Sequence, residues 1–143
     1  MTNLAVDVPL LVRYAETDQM GRAYYANYLV WFEVARTEFC KARGFRYSDL
    51  ESETGTFLPV VETSCRYVRP LHYDESFIVR TRVTLFRSRA IRLGYEVLSP
   101  DGRQLLAEGM THHIFVDREG KAKRFPAEYV RFFEGICEER RDA

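Results

Sequence analysis

The apolar residues between positions 28 and 39 recur every three or four residues, which is the period of an α-helix. Charged and polar side chains fill most of the opposite face, and Gly44 follows the last periodic residue as a typical helix stop. The pattern therefore predicts one long amphipathic helix that ends before Gly44. Asn27 can serve as its N-cap, although the aromatic residues before Asn27 are also compatible with the first turn. The predicted apolar face consists of Tyr28, Leu29, Phe32, Ala35 and Phe39.

Beyond residue 56 the hydrophobic pattern changes to the two-residue alternation of β-strands. The clearest case is Phe77–Arg87, where mostly apolar residues alternate with arginine and threonine. Turn residues such as Pro100-Asp101-Gly102 separate the apolar segments. The predicted strands, including one before the helix, are Val6–Tyr14, Phe57–Arg69, Phe77–Arg87, Arg89–Leu98 and Gln104–Val116. One long helix followed by four strands with short turns predicts an α+β protein whose antiparallel sheet packs against that helix.

Two further segments predict smaller elements. The polar stretch Phe45–Gly55 is expected to be a connection in which Ser48 or Asp49 caps a short turn. Near the end of the chain, Pro126 is expected to open a short C-terminal helix, because its fixed backbone angle suits a first helical position. The apolar residues of that helix are Tyr129, Val130, Phe133 and Ile136.

The composition is that of a single globular domain spanning residues 1–143, with 46% hydrophobic and 14% aromatic residues. Lysine plus arginine balance aspartate plus glutamate at 21 each, which argues against general binding to nucleic acid or to a membrane surface. No stretch approaches the ~20 apolar residues of a membrane span, and residues 1–12 lack the features of a secretory signal. A cytoplasmic protein is therefore expected.

Several familiar catalytic motifs are missing from the sequence, which contains no GxSxG, no glycine-rich phosphate loop and no HExxH. The three cysteines, Cys40, Cys65 and Cys137, are widely spaced, so they predict small buried side chains and no disulfide framework. His112 and His113 are neighbours in a predicted strand, so their side chains point to opposite faces of the sheet. Structural histidines and no metal site are therefore expected.

Asp18 lies in a tight polar loop directly before the predicted helix. A helix N-terminus offers unpaired N–H donors and a positive dipole end, which suit a developing oxyanion. On these grounds alone, Asp18 is either an aspartate that shapes a turn or a catalytic base or nucleophile.

A longer ordered series of residues surrounds Asp18 and extends along almost the whole chain. On this series the chain resembles the acyl-CoA thioesterases of the hotdog fold, in the 4-hydroxybenzoyl-CoA thioesterase branch. The matching residues are Arg13-Tyr14, Thr17-Asp18, Gly21, Tyr24-Tyr25, Asn27-Tyr28, Glu33–Arg36, Pro59, Val61-Glu62, Tyr67, Arg69-Pro70, Tyr73-Asp74, Ser88-Arg89, Gly109 and Asp117–Pro126.

The resemblance implies a hotdog fold, in which an antiparallel sheet wraps around one long helix. It also implies hydrolysis of an acyl thioester to a free acid and CoA, with no metal and no cofactor other than the CoA of the substrate. The subunits are expected to form a homo-oligomer, either a dimer or a tetramer of dimers, whose sheets join edge to edge.

Individual residues take roles from the same resemblance. Asp18 becomes the base or nucleophile, and the backbone N–H of Tyr25 becomes the oxyanion donor, although a histidine often occupies that position in the family. The expected residues for the nucleotide end of CoA are Arg69, Arg87, Ser88 and Arg89. The aromatic face of the helix is expected to be mostly core, with Tyr24, Tyr28 and Trp31 as candidates for lining an acyl pocket.

Two other functions remain open from the sequence alone. A hotdog dehydratase or hydratase would require a histidine and an acid in the loop and helix, and residues 16–44 contain no histidine. A non-catalytic module that binds acyl-CoA or acyl carrier protein would use Asp18 only for structure. Release of free thiol from an acyl thioester distinguishes the enzyme from the binding module.

Overall fold

The two-residue alternation of the sequence forms one antiparallel sheet in the computed structural model, which describes residues 5–135. The sheet has five strands in the spatial order β1-β3-β4-β5-β2, so β1 and β2 are its edges. The strands are β1 Val6–Leu11, β2 Val60–Tyr67, β3 Ser76–Phe86, β4 Ala90–Leu98 and β5 Leu105–Ile114, and the helices are α1 Asn27–Arg43 and α2 Tyr47–Thr54. Short 3₁₀ segments occupy Tyr14–Glu16 and Ala127–Phe133.

The core lies between α1 and one face of the sheet. Phe32 of α1 stacks on Tyr95 of β4, with ring centroids 4.3 Å apart and an interplanar angle of 6°. Gly109 of β5 faces the same ring, because a Cβ atom built at this position would lie 2.7 Å from the Phe32 ring. A side chain at Gly109 would therefore push the helix away from the sheet, and its absence lets the sheet wrap closely around α1. The predicted α+β class and hotdog fold are confirmed.

Helix α1 ends where its periodicity predicts, but its N-cap and its buried face differ from the prediction. Gly44 adopts the left-handed conformation of a C-cap, with φ 112°. Asn27 is not the N-cap, because Ala26 precedes the helix and the Asn27 side chain donates instead to the carbonyl of Glu16 at 2.9 Å. Trp31 is buried in the core, whereas Leu29 is 38% exposed. Trp31 is thus a core residue and not part of an acyl pocket.

The predicted connection Phe45–Gly55 contains a true helix, α2, where only a short turn was expected. Leu50 is its single buried residue, so the segment lacks the repeated apolar positions that would reveal a helix in the sequence. Neither Ser48 nor Asp49 caps it, because the N-cap is Arg46 without a side-chain cap bond. The helix ends at Gly55, which again adopts a left-handed conformation.

Two strands are shorter than their hydrophobic patterns predict. β1 stops at Leu11, since the chain turns into a 3₁₀ segment in which the N–H of Glu16 donates to the carbonyl of Arg13. β2 begins only at Val60, because Pro59 cannot donate a ladder bond and Phe57 forms no more than an isolated bridge with Val116.

The C-terminal segment that was predicted to be a helix forms the 3₁₀ segment Ala127–Phe133 as far as the structure describes it. Tyr129 and Phe133 are buried, as expected from their apolar spacing. Ile136 and Cys137 lie outside the described residues. No helix within residues 5–135 is long and apolar enough to cross a membrane.

Candidate active site

The loop that carries Asp18 is a small hairpin closed by main-chain bonds. The N–H of Asp18 donates to the carbonyl of Arg22 at 2.8 Å, and Gly21 takes φ 80° at its tip. Asp18 Oδ1 accepts the N–H groups of Met20 at 2.8 Å and Arg22 at 3.2 Å. No hydrogen bond to Oδ2 occurs among the described residues. One carboxylate oxygen therefore shapes the turn, and the turn does not require the other.

Glu16 links this loop to helix α1 through hydrogen bonds. The residue is only 5% exposed, and its carboxylate accepts hydrogen bonds from Trp31 Nε1 at 2.9 Å and from the N–H of Arg13 at 2.9 Å. Burial raises the pKa of Glu16, but the bonds from Arg13 and Trp31 outweigh burial and hold that pKa below its ordinary value. The Glu16 carbonyl accepts the N–H of Tyr24 at 2.7 Å, so the same residue also sets the path of the chain into α1.

The chain enters α1 through a turn in which Tyr25 presents its N–H outward. The carbonyl of Tyr24 accepts the N–H of Asn27 at 2.9 Å, in the direction of the helix. The Tyr25 N–H belongs to the same planar trans peptide and points the opposite way, out of the helix N-terminus. No acceptor for it occurs among the described residues. The Tyr25 N–H is thus an unpaired donor at a helix start within the described chain.

Asp18 and Tyr25 line one cavity of about 270 Å³, here named the Asp18 pocket. The cavity lies between the hairpin, the start of α1 and the chain that leaves β2. Its lining residues are Asp18, Met20, Arg22, Ala23, Tyr25, Tyr28, Tyr67, Val68, Arg69 and Pro70. The fold thus brings four of the predicted site residues together: Asp18, Tyr25, Tyr28 and Arg69.

The two tyrosines predicted for the acyl group, Tyr24 and Tyr28, differ in their surroundings. Tyr24 does not line the Asp18 pocket, and its ring packs on that of Tyr25 at 4.7 Å between centroids. Tyr28 reaches the pocket but is otherwise buried against Trp31 and Tyr67, and burial raises the pKa of Tyr28 to about 12. Tyr28 is therefore a neutral, mostly apolar wall of the pocket.

The basic turn formed by Arg87, Ser88 and Arg89 lies at the far end of the sheet from the Asp18 pocket. The pocket adjoins the chain that leads into β3 at Ser76, and the turn follows Phe86 at the other end of this 11-residue strand. Such a strand spans about 33 Å. Within one chain, the turn and the pocket therefore do not form a single site.

The basic turn borders a second cavity of about 250 Å³ that also contains Arg124 and Phe125. The N–H of Phe125 donates to the carbonyl of Ser88 at 2.7 Å, which fixes the two segments together. Arg87 Nε is buried without a hydrogen-bond partner in the part of the chain that the structure describes. The second cavity therefore offers positive charge next to an aromatic side chain.

His113 has the structural role that the sequence analysis expects. It is fully buried, with Nδ1 3.0 Å from the carbonyl oxygen of Leu58 and Nε2 2.8 Å from Oγ1 of Thr111. Neither His112 nor His113 lines the Asp18 pocket. Cys40 and Cys65 are free thiols. Across residues 5–135, no group of three or more His, Cys, Asp or Glu side chains could hold a metal ion.

Sequence reasoning missed several residues of the Asp18 pocket. Arg22 and Met20 belong to the predicted loop, but nothing in their spacing marks them as pocket residues. Tyr67 comes from β2, more than 40 positions beyond the loop, and its hydroxyl donates to the carbonyl of Tyr25 at 2.8 Å. Tyr67 belongs to the residue series that carries the family resemblance, but that series assigned it no role, and its spacing does not show that it reaches the loop.

Comparison with known proteins points to one family. Residues 12–133 match the family model of the thioesterase-like superfamily. A protein of Bacillus subtilis (strain 168), YneP, whose name gives it as a candidate acyl-CoA thioesterase, is 46% identical over 108 residues, which are 76% of this chain and 77% of YneP.

Solved structures agree in fold. The hypothetical protein TT1821 from Thermus thermophilus is 36% identical, with a TM-score of 0.85 over 92% of this chain and 97% of that chain. The DHNA-CoA thioesterase from Staphylococcus aureus is 29% identical, with a TM-score of 0.86 over 92% of this chain and 90% of that chain.

Proposed function

Because the chain belongs to the thioesterase-like superfamily, we propose that it hydrolyses acyl-CoA thioesters to a carboxylic acid and free CoA at the Asp18 pocket. The observation that carries this proposal is the cavity that Asp18 shares with Tyr25, whose N–H has no acceptor among the described residues. A carboxylate and a free helix-start donor are the two groups that thioester hydrolysis requires. The proposed reaction includes no organic cofactor and no metal.

The proposed reaction begins with the thioester oxygen at the N–H of Tyr25. Asp18 Oδ2 either removes a proton from water, which then attacks the carbonyl carbon, or attacks that carbon itself and forms an anhydride that water opens. In both cases the carbonyl oxygen becomes negative and is stabilised by the helix-start N–H. The carbon–sulfur bond then breaks, the thiolate of CoA takes up a proton, and the carboxylic acid leaves.

A second subunit is part of the proposal, because one chain separates the basic turn from the Asp18 pocket. β2 is an edge strand with seven of its eight residues exposed, and it carries no proline. In such a dimer, β2 pairs antiparallel with the β2 of the second subunit, centred on the middle of the strand. The second subunit's β4 then lies three strand spacings from β2, a distance of about 14 Å. The pantetheine arm of CoA is about 15 Å long when extended.

That distance supports a dimer in which one subunit supplies Asp18 and the other supplies the basic turn for the CoA phosphates. Arg87, Ser88 and Arg89 would then hold the nucleotide, with Arg124 beside them, while Tyr24, Tyr28 and Arg69 stay near the acyl end. Such dimers pair further into tetramers in our proposal. A cytoplasmic location follows from the substrate, because acyl-CoA is made and used inside the cell.

The decisive experiment measures thiol release from a panel of acyl-CoA substrates by the purified protein and by Asp18→Asn. Asparagine retains the Oδ1 acceptor, so the hairpin persists while the charge is lost. We expect kcat to fall by at least ~10².

Asp117 provides a matched control, because its Oδ1 accepts the N–H groups of Glu119 and Lys121 at 2.9 Å each, in the same turn geometry as Asp18. Asp117→Asn should leave kcat within a factor of two. Absence of thiol release by the wild-type protein, or near-normal turnover by Asp18→Asn, would refute the proposed function. Binding of acyl-CoA without release would identify a binding module instead.

A further inference from the structure

Tyr67 links the edge strand β2 to the start of helix α1. Its hydroxyl donates to the carbonyl of Tyr25 at 2.8 Å. Its ring stands edge-on to those of Tyr25 and Tyr28, with centroids 6.4 Å and 4.8 Å away. These contacts position the hydroxyl from two sides, so the bond to Tyr25 has a defined direction.

The peptide that Tyr67 holds is otherwise weakly tied to the helix. The Tyr25 carbonyl also accepts the N–H of Tyr28, but at 3.3 Å, and the next carbonyl, that of Ala26, accepts Leu29 at 3.2 Å. Both distances are at or beyond the upper end of ordinary N–H···O bonds. The bond from Tyr67 is therefore the shortest interaction that fixes the Tyr25–Ala26 peptide.

The N–H on the other side of this peptide belongs to Ala26. Because the peptide is planar and trans, that N–H points away from the Tyr25 carbonyl and out of the helix N-terminus, in the same general direction as the Tyr25 N–H. No residue of the described chain accepts either N–H. Two adjacent free donors at a helix start form a concave anion site.

We infer that Tyr67 is a positioning residue that holds the Tyr25–Ala26 peptide so that the N–H groups of both Tyr25 and Ala26 face the thioester oxygen. This inference rests on the proposed function, since it concerns the same oxyanion. Tyr67 itself does not touch the substrate carbonyl, because its hydroxyl proton is engaged with the Tyr25 carbonyl.

The protonated state of Tyr67 suits this role. Burial raises the pKa of Tyr67, and its neighbours Cys65 and Tyr28 raise it further. The hydroxyl thus remains a donor throughout the neutral pH range. Loss of an oxyanion donor costs ~10²–10³ in kcat, and loss of a group that only orients such a donor should cost less, about tenfold.

The test compares Tyr67→Phe with Tyr67→Leu and with Tyr14→Phe. The phenylalanine variant removes only the hydroxyl, and the leucine variant removes the ring as well. Tyr14 is the matched control, because it is 79% exposed and lies outside the Asp18 pocket. We expect Tyr67→Phe to lower kcat about tenfold with KM within a factor of two, and Tyr14→Phe to change neither.

A spectroscopic readout separates orientation of the donors from general stability. In an Asp18→Asn background, the infrared carbonyl stretch of a bound, carbon-13-labelled acyl-CoA thioester reports the hydrogen bonds to the thioester oxygen. We expect the frequency of this band to be lower in the bound state than in solution. Tyr67→Phe should raise the frequency part of the way back to its solution value. The melting temperature should stay within 2 °C or so, about the effect of less than 1 kcal/mol in a domain of this size.

Three results would overturn the inference. The first is unchanged kcat in Tyr67→Phe, and the second is a loss that appears only in Tyr67→Leu, which would assign the effect to ring packing. The third is a fall in kcat with an unshifted carbonyl band, which would indicate a purely structural role. Failure of the proposed function is distinguishable, because it shows as full activity in Asp18→Asn whatever Tyr67→Phe does.

Discussion

Asp18 and Asp117 form the same local turn, so the turn geometry alone does not identify a chemical role for either side chain. Each side chain accepts two main-chain N–H groups, two and four positions further along the chain, and a glycine lies three positions after each. The two aspartates are nearly equivalent as turn formers. Only Asp18 stands beside an open helix N-terminus in a cavity lined with tyrosines. The neighbours, and not the turn, therefore distinguish the proposed catalytic aspartate from a structural one.

The role of Tyr25 can be tested by separating its side chain from its backbone. Tyr25→Phe and Tyr25→His retain the N–H, so kcat should stay within about a factor of ten, short of the ~10²–10³ that accompanies loss of an oxyanion donor. Tyr25→Pro deletes the N–H and should be severely impaired. The proline variant counts only if its melting temperature and oligomeric state match the wild type. A loss of ~10³ in Tyr25→Phe with normal KM would make the phenol the acting group.

The buried His113 should make the stability of the folded protein depend on pH. Burial lowers the pKa of His113 from 6.5 to about 4, because burial and the nearby charge of Arg36 together outweigh the bond to the Leu58 carbonyl, which raises it. Between those values the unfolded chain binds a proton at this residue that the folded chain does not. His113 therefore stabilises the fold above pH 6.5, and that stability falls as the pH drops towards 4, by at most about 1.4 kcal/mol per pH unit.

Urea unfolding of the wild type and His113→Gln between pH 7 and pH 4.5 measures this dependence. The free energy of unfolding of the variant should depend less steeply on pH, and its value at pH 7 should be lower because the bonds to Leu58 and Thr111 are lost. His72→Gln is the control, since His72 is exposed on a loop. Equal pH slopes in the wild type and His113→Gln would contradict the assignment.

Among the elements, α1 and β2 contribute most to the proposed site. The N-terminus of α1 supplies the outward N–H groups, and β2 supplies Tyr67 and leads into Val68 and Arg69 at the pocket. The β3–β4 turn is separate, because it lies at the opposite end of the sheet. The elements thus divide into an acyl end and a basic end that one chain cannot join.

The basic turn should affect binding and not the chemical step. Arg87→Ala with Arg89→Ala should raise KM for acyl-CoA and flatten its salt dependence, since the phosphates lose two cations. Turnover of a short acyl-pantetheine, which lacks the nucleotide, should change little. If both substrates lost activity equally, the arginines would serve the fold or the chemistry. The melting temperature of the double variant is a necessary control, because Arg87 Nε is buried.

For the whole molecule, the two edges of the sheet are protected differently. β1 carries Pro9, which removes a backbone donor, and Asp7, which pairs with Arg80 of β3 at 2.8 Å. Both features discourage pairing with another strand. β2 exposes Val60 and Val61 and carries no proline, although its Arg66 pairs with Glu108 of β5 at 2.7 Å. This difference between the edges favours self-association through β2. In the proposed dimer, that association brings the basic turn of one subunit close to the Asp18 pocket of the other.

Val61→Lys should test association at β2. Val61 is 52% exposed and lies at a bulge between the residues that pair with β5, so a lysine there leaves the ladder within the chain intact. We expect sedimentation to show smaller species and kcat/KM for acyl-CoA to fall at least tenfold. Leu11→Lys, at the 47% exposed end of β1, is the matched control and should change neither. An unchanged oligomer in Val61→Lys would rule out the β2 interface.

The local pattern of the sequence determined the main elements. α1 and the three strands that follow β2 agree with prediction within about two residues, because each buries a repeated apolar face that the period reveals. α2 escaped prediction since it buries only Leu50. Strands β1 and β2 were predicted to be longer than they are, because hydrophobic residues lie beyond the ends of their hydrogen-bonded ladders. Hydrophobicity marks burial, and only paired neighbours decide where a strand ends.

The same division applies to the site. Asp18 directly precedes the helix along the chain, so local features were enough to predict that it meets the helix N-terminus, while the family resemblance supplied Tyr25 as the donor. Tyr67 joins them through a contact across 42 positions, which depends on where β2 lies in the sheet. The separation of the basic turn from the pocket likewise depends on the direction of β3. Sequence therefore determined the groups that are close along the chain, while the strand order decided which distant groups reach them.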